Sequence, residues 1–196
     1  MKTGWIVLIV LVAVIIFGFL GASGSYNGLV SKEQAVNAQW AQVENTYQRR
    51  ADLIPNLVNT VKGVANFEKS TLTDVINARA SATQMKIDPK NLTPEMLEKF
   101  QSNQQGLSQA LGRLMVVVEK YPELKVTQNF TELQAQLEGT ENRCTVERMK
   151  YNEVAQTYNT SRKSFPTIIF ASMFNFQEKP YFKAVEGAEK PPTVQF

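Results

Sequence analysis

The sequence predicts an all-α protein in which a single N-terminal transmembrane helix is followed by an up-and-down antiparallel four-helix bundle of long helices. Three observations predict this fold class. Residues 4–22 form an uncharged apolar run, hydrophobic residues recur at helical spacing in four later segments, and short connections separate those segments. The 196-residue chain then divides into a transmembrane anchor (1–22), the bundle (23–165), and an apolar patch with a proline-containing tail (166–196).

The N-terminal apolar run has the length of a membrane-spanning helix. Its 19 residues, at about 1.5 Å per residue, span roughly 28 Å, and Trp5 lies where an interfacial aromatic residue belongs. A cleaved signal peptide is the alternative, because Ala22 and Gly24 resemble a small-residue cleavage site. We expect a retained anchor in the lipid bilayer, because the run is long for the apolar part of a signal peptide. Lys2 precedes the run, so the positive-inside rule predicts a cytoplasmic N-terminus and places the remaining chain outside.

The first two helices of the bundle are expected to meet at a proline. Pro55 lacks an amide hydrogen and crowds the carbonyl group four residues earlier, so the helix should kink or restart there, with Asp52 able to cap the restart. The alternative is that both segments run on through Pro55 as one kinked rod. The spacing places the following residues on the buried sides: Leu29, Val36, Trp40, Val43, Tyr47, Ile54, Leu57, Val58, Val61, Val64, Leu72, Val75, Ile76 and Arg79.

The third and fourth helices have clear boundaries. Thr93-Pro94-Glu95 combines a hydroxyl N-cap, a proline at the first helical position and a carboxylate near the positive helix end, and Tyr121-Pro122 stops the third helix. The fourth helix, residues 129–165, contains no proline and starts at Asn129, which with Glu132 resembles a capping box. Its apolar stripe has polar gaps near 140 and 147. The expected core positions are Leu97, Phe100, Gln104, Leu107, Leu111, Leu114, Val118, Phe130, Leu133, Leu137, Cys144, Tyr151, Val154 and Tyr158.

Composition excludes several classes of function. The chain has no histidine and one cysteine, which removes zinc sites built on His and Cys, Ser-His-Asp triads, Cys-His dyads and CxxC redox pairs. Carboxylate-only sites remain open. The net charge of +3 comes without a basic cluster, so no nucleic-acid partner is expected. We predict a protein that is not an enzyme and has no cofactor, with Cys144 as a small core residue.

Two groups of charged residues are candidates for a site. Arg49, Arg50 and Asp52 lie beside Pro55 and could bind an anion, but without a glycine loop or helix-start amides they favour an inter-helix salt bridge and cap.

The second group lies at the gaps in the stripe of the fourth helix. Glu141 and Arg148 are two turns apart on one face, which favours partner charges on other helices over a catalytic pair of carboxylates formed with Glu147. We expect Glu141 to hold a buried arginine, and a fully buried pair would make Glu141→Leu destabilising by roughly 3–5 kcal/mol. The candidate partners are Arg148, Arg49, Arg50 and Arg79.

A dense apolar patch follows Pro166. It could be a flap that closes the bundle end, or a surface for the membrane or a partner. Four passes bring the fourth helix back to the bilayer, so the patch should lie at the membrane surface, whereas the kinked rod predicts the opposite. The patch consists of Ile168, Ile169, Phe170, Met173, Phe174 and Phe176.

The Tyr-Asn pairs at 26, 151 and 158 are too short to count as a repeat.

Several separated blocks, in the right order, resemble the LemA family. They are Tyr26-Asn27-Gly28-Leu29-Val30, Arg49-Arg50-Ala51-Asp52-Leu53-Ile54-Pro55-Asn56-Leu57-Val58, Glu119-Lys120-Tyr121-Pro122-Glu123-Leu124-Lys125, and Thr140-Glu141-Asn142-Arg143. The resemblance implies a single-pass bacterial envelope protein with a four-helix domain outside the cytoplasm, and we expect it in the cytoplasmic membrane. It implies no established catalytic activity and therefore transfers no catalytic residues.

Two functional classes stay open at this point. One is a structural or scaffolding envelope protein that forms a homo-oligomer. The other is an adaptor or regulator that presents its helices to a membrane protein partner, such as a quality-control protease. A large homo-oligomer in mild detergent would favour the scaffold, and a stoichiometric foreign membrane protein would favour the adaptor.

Overall fold

Every regular element in the described part of the chain is helical. The computed structural model describes residues 2–63 and 68–183, so Val64 and the last thirteen residues of the predicted tail lie outside it. The helices are α1 (Lys2–Lys62), α2 (Lys69–Gln84), α3 (Pro94–Val118), α4 (Pro122–Lys125), α5 (Gln128–Lys163) and α6 (Thr167–Met173), with a short 3₁₀ turn at Pro89–Asn91.

Helix α1 joins the apolar run to the packed part of the protein without a break. Its 61 residues, at about 1.5 Å per residue, span roughly 92 Å. The N-terminal part is apolar enough to cross a membrane, with a mean hydropathy of 3.0 over its most apolar window. Its large side chains from Trp5 to Val12 and from Ile15 to Leu20 are exposed. Burial begins at Leu29. We call residues 29–183 the helical domain.

The helices of the domain pack as two antiparallel pairs. Helix α1 pairs with α5: Trp40 contacts Tyr151, and Arg50, further along α1, reaches back to Glu141. Helix α2 pairs with α3, whose Asn103 donates to the Ser81 carbonyl group at 3.2 Å. Helices α1 and α3 run in the same direction where they contact, since Trp40 lies beside Phe100 and Arg50 beside Ser108.

The expected helix break at Pro55 is wrong. Helix α1 continues through Pro55, as in the rod alternative, and the reversal comes instead between Lys62 and Lys69. Pro55 cannot donate to the Ala51 carbonyl oxygen four residues earlier. That oxygen is satisfied from another helix, because Nε of Arg79 on α2 donates to it at 2.8 Å. Asp52 therefore caps no restart and lies exposed within α1.

This substitution of one donor for another can be tested with a double-mutant cycle. In the wild-type background, Arg79→Met should lower the free energy of unfolding by about 1–2 kcal/mol, because it leaves a carbonyl group of a buried residue without a donor. In a Pro55→Ala background the cost should largely disappear, because the new amide can bond to Ala51. Unfolding by urea, followed by circular dichroism, measures both costs. Arg113→Met, which removes an exposed arginine 3.8 Å from Asp74, is the control, and equal costs of Arg79→Met in both backgrounds would contradict the assignment.

The start of α5 also differs from expectation. The N-cap is Thr127 rather than Asn129, and the helix begins at Gln128. The reason is α4, a single helical turn that passes almost directly into α5: the Thr127 hydroxyl group donates back to the Leu124 carbonyl oxygen, and the Thr131 amide bonds to the Thr127 carbonyl oxygen.

The core is divided into two apolar clusters. The residues predicted for the buried side of α3 are all buried, as are those of α1. On α2, Leu72 and Val75 are buried but Ile76 is exposed. The first cluster surrounds Trp40 and the second surrounds Leu107. Between them lie polar side chains, and this layer contains several of the candidate site residues.

Candidate functional site

The polar layer is centred on Arg50, the most buried arginine in the described part of the chain at 3 % exposure. Its Nη1 lies 2.7 Å from Oε2 of Glu141 on α5, and its Nη2 donates to the Ser108 hydroxyl oxygen on α3 at 2.7 Å. Nearby, the Gln104 amide donates to the Ala82 carbonyl oxygen at 3.0 Å. The layer thus ties α1 to α3 and α5, and α3 to α2, by polar contacts with defined geometry. Such contacts set the register of helices more than they add stability.

The other arginines predicted as partners of Glu141 lie elsewhere. Arg49 is exposed, and Arg79 donates a hydrogen bond to the Ala51 carbonyl oxygen. Arg148 extends toward the C-terminal residues: its guanidinium lies 5.1 Å from the centre of the Phe182 ring, and its Nη2 donates to the Lys183 carbonyl oxygen at 3.1 Å. Arg50 is therefore the partner of Glu141. Arg148, the other charged residue at the gaps of α5, contacts Phe182 and Lys183 instead.

Asp52 has a hydrogen bond within α1, whereas Glu147 bonds both to α1 and within α5. The Gln48 side chain donates to Asp52 at 2.8 Å. Glu147 accepts from Gln39 on α1 at 2.6 Å and from Lys150 at 2.8 Å. The hydrogen bond from Lys150, followed by that from Gln39, lowers the pKa of Glu147. Asp52 and Glu147 thus bind different neighbouring side chains.

The cavities beside the polar layer have few side chains that could act as acids, bases or metal ligands. One of them, about 400 Å³, lies between α1, α3 and the end of α2, and Glu44 is the single acid in its lining. Burial raises the pKa of Glu44. Burial also raises the pKa of the buried Cys144 thiol, which keeps it in its less reactive protonated form. Among the residues that the structure describes, no three acidic or cysteine side chains form a metal-ligating group.

The C-terminal strap, residues 175–183, is a feature that the sequence analysis missed. Asn175 takes a positive φ of 57° and turns the chain, so that the strap runs back along α5 in the opposite direction. Two asparagines of α5 hold its backbone. Asn159 donates to the Lys179 carbonyl oxygen at 2.7 Å and accepts from the Lys179 amide at 3.0 Å, and Asn152 does the same with Phe182 at 3.0 and 2.9 Å.

Besides Phe176, the strap buries the side chains of Lys179 and Phe182. Lys179 is 1 % exposed and its Nζ lies 2.9 Å from Oε1 of Glu33 on α1. It also donates to the Pro89 carbonyl oxygen at 3.1 Å. Phe182 stacks on Trp40, with ring centres 6.0 Å apart. The signal for this arrangement was present in the Tyr-Asn pairs at 151 and 158. Seven residues apart on one helix, their tyrosines enter the core and their asparagines hold the strap.

Packing buries part of the apolar patch after Pro166 and leaves the rest exposed. Ala171 and Phe176 are buried and Phe170 is half-buried, whereas Ile168, Ile169, Met173 and Phe174 are exposed. The Phe174 ring contacts Tyr26 of α1, with ring centres 4.9 Å apart. Ile168, Phe170 and Phe174 therefore lie at the end of the helical domain nearest to the apolar run.

Comparisons with known proteins find one family model and several related proteins. The family model described as "LemA family" matches residues 39–196. Magnetosome protein MamQ 2 of Paramagnetospirillum magneticum is 27% identical over 183 residues, which cover 85% of this chain and 67% of that protein. Magnetosome protein MamQ of Magnetospirillum gryphiswaldense is 26% identical over the same shares. Protein LemA of Metamycoplasma hominis is 21% identical over 163 residues, covering 83% of this chain and 71% of that protein. The family match starts within α1, beyond the apolar run.

Proposed function

This chain belongs to the LemA family, and we propose that it is a non-enzymatic, membrane-anchored scaffold that assembles with copies of itself. The observation that carries the proposal is the continuity of α1. The first core residue, Leu29, follows the apolar run by only seven residues of the same helix. No flexible linker intervenes, so the position and tilt of the anchor are transmitted directly to the helical domain. Contacts between neighbouring anchors would therefore set the spacing of neighbouring domains.

The helical domain supports a structural role. Its two antiparallel helix pairs support an up-and-down four-helix bundle extended along α1. Residues 29–62 of α1 alone rise about 50 Å at roughly 1.5 Å per residue. An elongated body of this kind presents long faces to its neighbours in a membrane. Its polar layer is occupied by ion pairs and hydrogen bonds between helices, with Arg50 bound to Glu141 and Ser108, so these groups fix the register of the helices.

We place the protein in the cytoplasmic membrane, with its N-terminus in the cytoplasm and the helical domain outside. The support is the apolar run at the N-terminal end of α1 and the charge of Lys2 before it. Val126, an 82 % exposed residue in the turn before α5, offers a labelling position: a Val126→Cys variant should react with a membrane-impermeant maleimide in intact cells or spheroplasts. Reaction only after permeabilisation would reverse the orientation.

The self-assembly part of the proposal predicts the particle size. Full-length protein extracted in a mild detergent, or in membrane-derived nanodiscs, should have the mass of several copies, because both anchor and domain are available for lateral contact. Mass photometry or light scattering with detergent correction measures it. A variant with residues 4–22 replaced by an unrelated membrane-spanning helix is the control that separates anchor contacts from domain contacts. Particles of one copy would overturn the scaffold, and a foreign membrane protein in fixed proportion would favour an adaptor instead.

A further inference from the structure

The exposed apolar side chains around α6 lie at a defined height above the apolar run. Tyr26 is four residues beyond Ala22 in the same helix, a rise of about 6 Å. The Tyr26 ring contacts both Phe174 and Phe176, with ring centres 4.9 and 5.7 Å away. The polar headgroup layer adds roughly 5–8 Å on each side of the hydrocarbon core. If residues 4–22 span that core, the α6 segment lies within the headgroup layer.

The segment has one packed side and one open side. Ala171 and Phe176 hold it against the domain, and the Phe176 amide bonds to the Ala171 carbonyl oxygen at 2.9 Å. We define the α6 face as the exposed apolar residues of the segment. They are Phe165 (82% exposed), Met173 (68%), Ile169 (51%), Ile168 (47%) and Phe174 (46%).

This concentration is unusual within the helical domain. Other large exposed apolar residues, such as Ile76, Val116 and Val126, are scattered singly over the described part of the domain. Five within ten consecutive positions form a contiguous patch of the kind that marks an interaction surface. The cations just before the face are held by a strap carboxylate: Lys163 lies 2.6 Å and Arg162 3.9 Å from Glu178. The charged groups thus border the apolar residues, as in segments that lie in a membrane interface.

We propose that the α6 face inserts into the headgroup and upper acyl region of the same bilayer that α1 spans. The protein then has two membrane contacts, a spanning helix and an interfacial segment, joined through Tyr26 and Phe174. The second contact would resist rotation and tilting of α1 and hold the domain at a fixed angle. The inference rests on the membrane anchoring in the proposed function, but it assigns a lipid surface to residues outside the anchor.

Site-directed fluorescence quenching tests the assignment in the full-length chain. In a Cys144→Val background, Ile169→Cys is labelled with an environment-sensitive fluorophore and the protein is reconstituted into phosphatidylcholine–phosphatidylglycerol vesicles. Lipids carrying a nitroxide high on the acyl chain should quench this probe at least about twofold. Val126→Cys is the matched control, an exposed apolar position near the end of the domain far from Tyr26, and should not be quenched. Leu11→Cys, in the apolar run, is the positive control.

Each pattern of quenching has a distinct meaning. Quenching at Ile169 and Leu11 but not at Val126 supports the proposal. Quenching at Leu11 alone, with a water-exposed probe at Ile169, overturns the lipid contact while leaving the anchor intact. An apolar environment at Ile169 without lipid quenching also overturns it, because another protein surface then covers the face. Absence of quenching at Leu11 would remove the anchor on which both proposals rest.

Discussion

Replacing Glu33 with leucine is expected to lower the free energy of unfolding by about 3 kcal/mol, although Glu33 itself is partly exposed. The reason is its partner. Lys179 is 1 % exposed, and the Glu33 carboxylate 2.9 Å away is its partner of opposite charge. Without that carboxylate the ammonium group keeps hydrogen bonds to the Pro89 and Lys90 carbonyl groups, but these are neutral acceptors. Urea unfolding of the full-length protein, followed by circular dichroism, measures the loss.

A control variant and a rescue variant show whether the loss comes from the unpaired Lys179 charge or from weaker packing of the strap. Glu98→Ala removes an exposed carboxylate 4.0 Å from Lys183 and should change stability little. Adding Lys179→Met to Glu33→Leu should recover a large part of the loss, because well-packed apolar residues often replace a buried ion pair without net cost. A double variant as unstable as the sum of its single changes would contradict this explanation.

The Glu33–Lys179 pair also shows why the strap belongs to the domain rather than to a loose tail. Lys179 connects the strap to α1 through Glu33 and to the 3₁₀ turn through Pro89. Phe182, three residues further, fills the space beside Trp40 and Tyr151. Two side chains on one face of an extended segment thus close one end of the core. The strap completes the first apolar cluster.

Hydrophobic periodicity predicted most of the core because helical burial repeats locally. Leu29, Val36, Trp40 and Val43 follow one side of α1, and every predicted core residue of α3 is buried. The capping pattern at Thr93 was equally local, and the Thr93 hydroxyl oxygen accepts from the Met96 amide at 3.2 Å. Such features depend on residues three or four apart, which can be identified from the sequence alone.

The errors arose where a distant residue decides the local structure. Pro55 is an unfavourable residue inside a helix, yet α1 continues because Arg79, 24 positions later, satisfies the freed carbonyl group of Ala51. Asn152 and Asn159 have no apolar periodicity to reveal that they bind backbone groups of the strap. Predicting either contact requires the packing of α1, α2 and α5 to be known first.

The candidate site was predictable in residue type but not in pairing. Spacing placed Glu141 and Arg148 on one side of α5 and suggested partners from other helices. It could not choose Arg50 among four arginines, since that choice depends on how far α5 slides along α1. Nor could it show that Arg148 lies over Phe182, because an extended strap has no helical register from which to infer contacts.

Glu141→Leu is expected to destabilise the protein by about 1–3 kcal/mol, less than a fully buried pair would lose. Arg50 is 3 % exposed and would lose its carboxylate partner. However, the Glu141 side chain is 50% exposed, so water can reach the vacated position and solvate one end of the guanidinium group. The Ser108 hydroxyl oxygen still accepts from its Nη2. The same unfolding measurement applies.

Two variants show whether the loss comes from the stranded arginine. Glu138→Leu, which changes an exposed acid one turn earlier that accepts from Gln134 at 3.0 Å, should have little effect. Arg50→Met combined with Glu141→Leu should be more stable than Glu141→Leu alone, because no buried guanidinium is then left without its carboxylate partner. If Glu141→Leu unfolds at the same denaturant concentration as wild type, the pair contributes nothing measurable. Arg50 would then owe its place in the layer to Ser108 and to packing of its apolar stem.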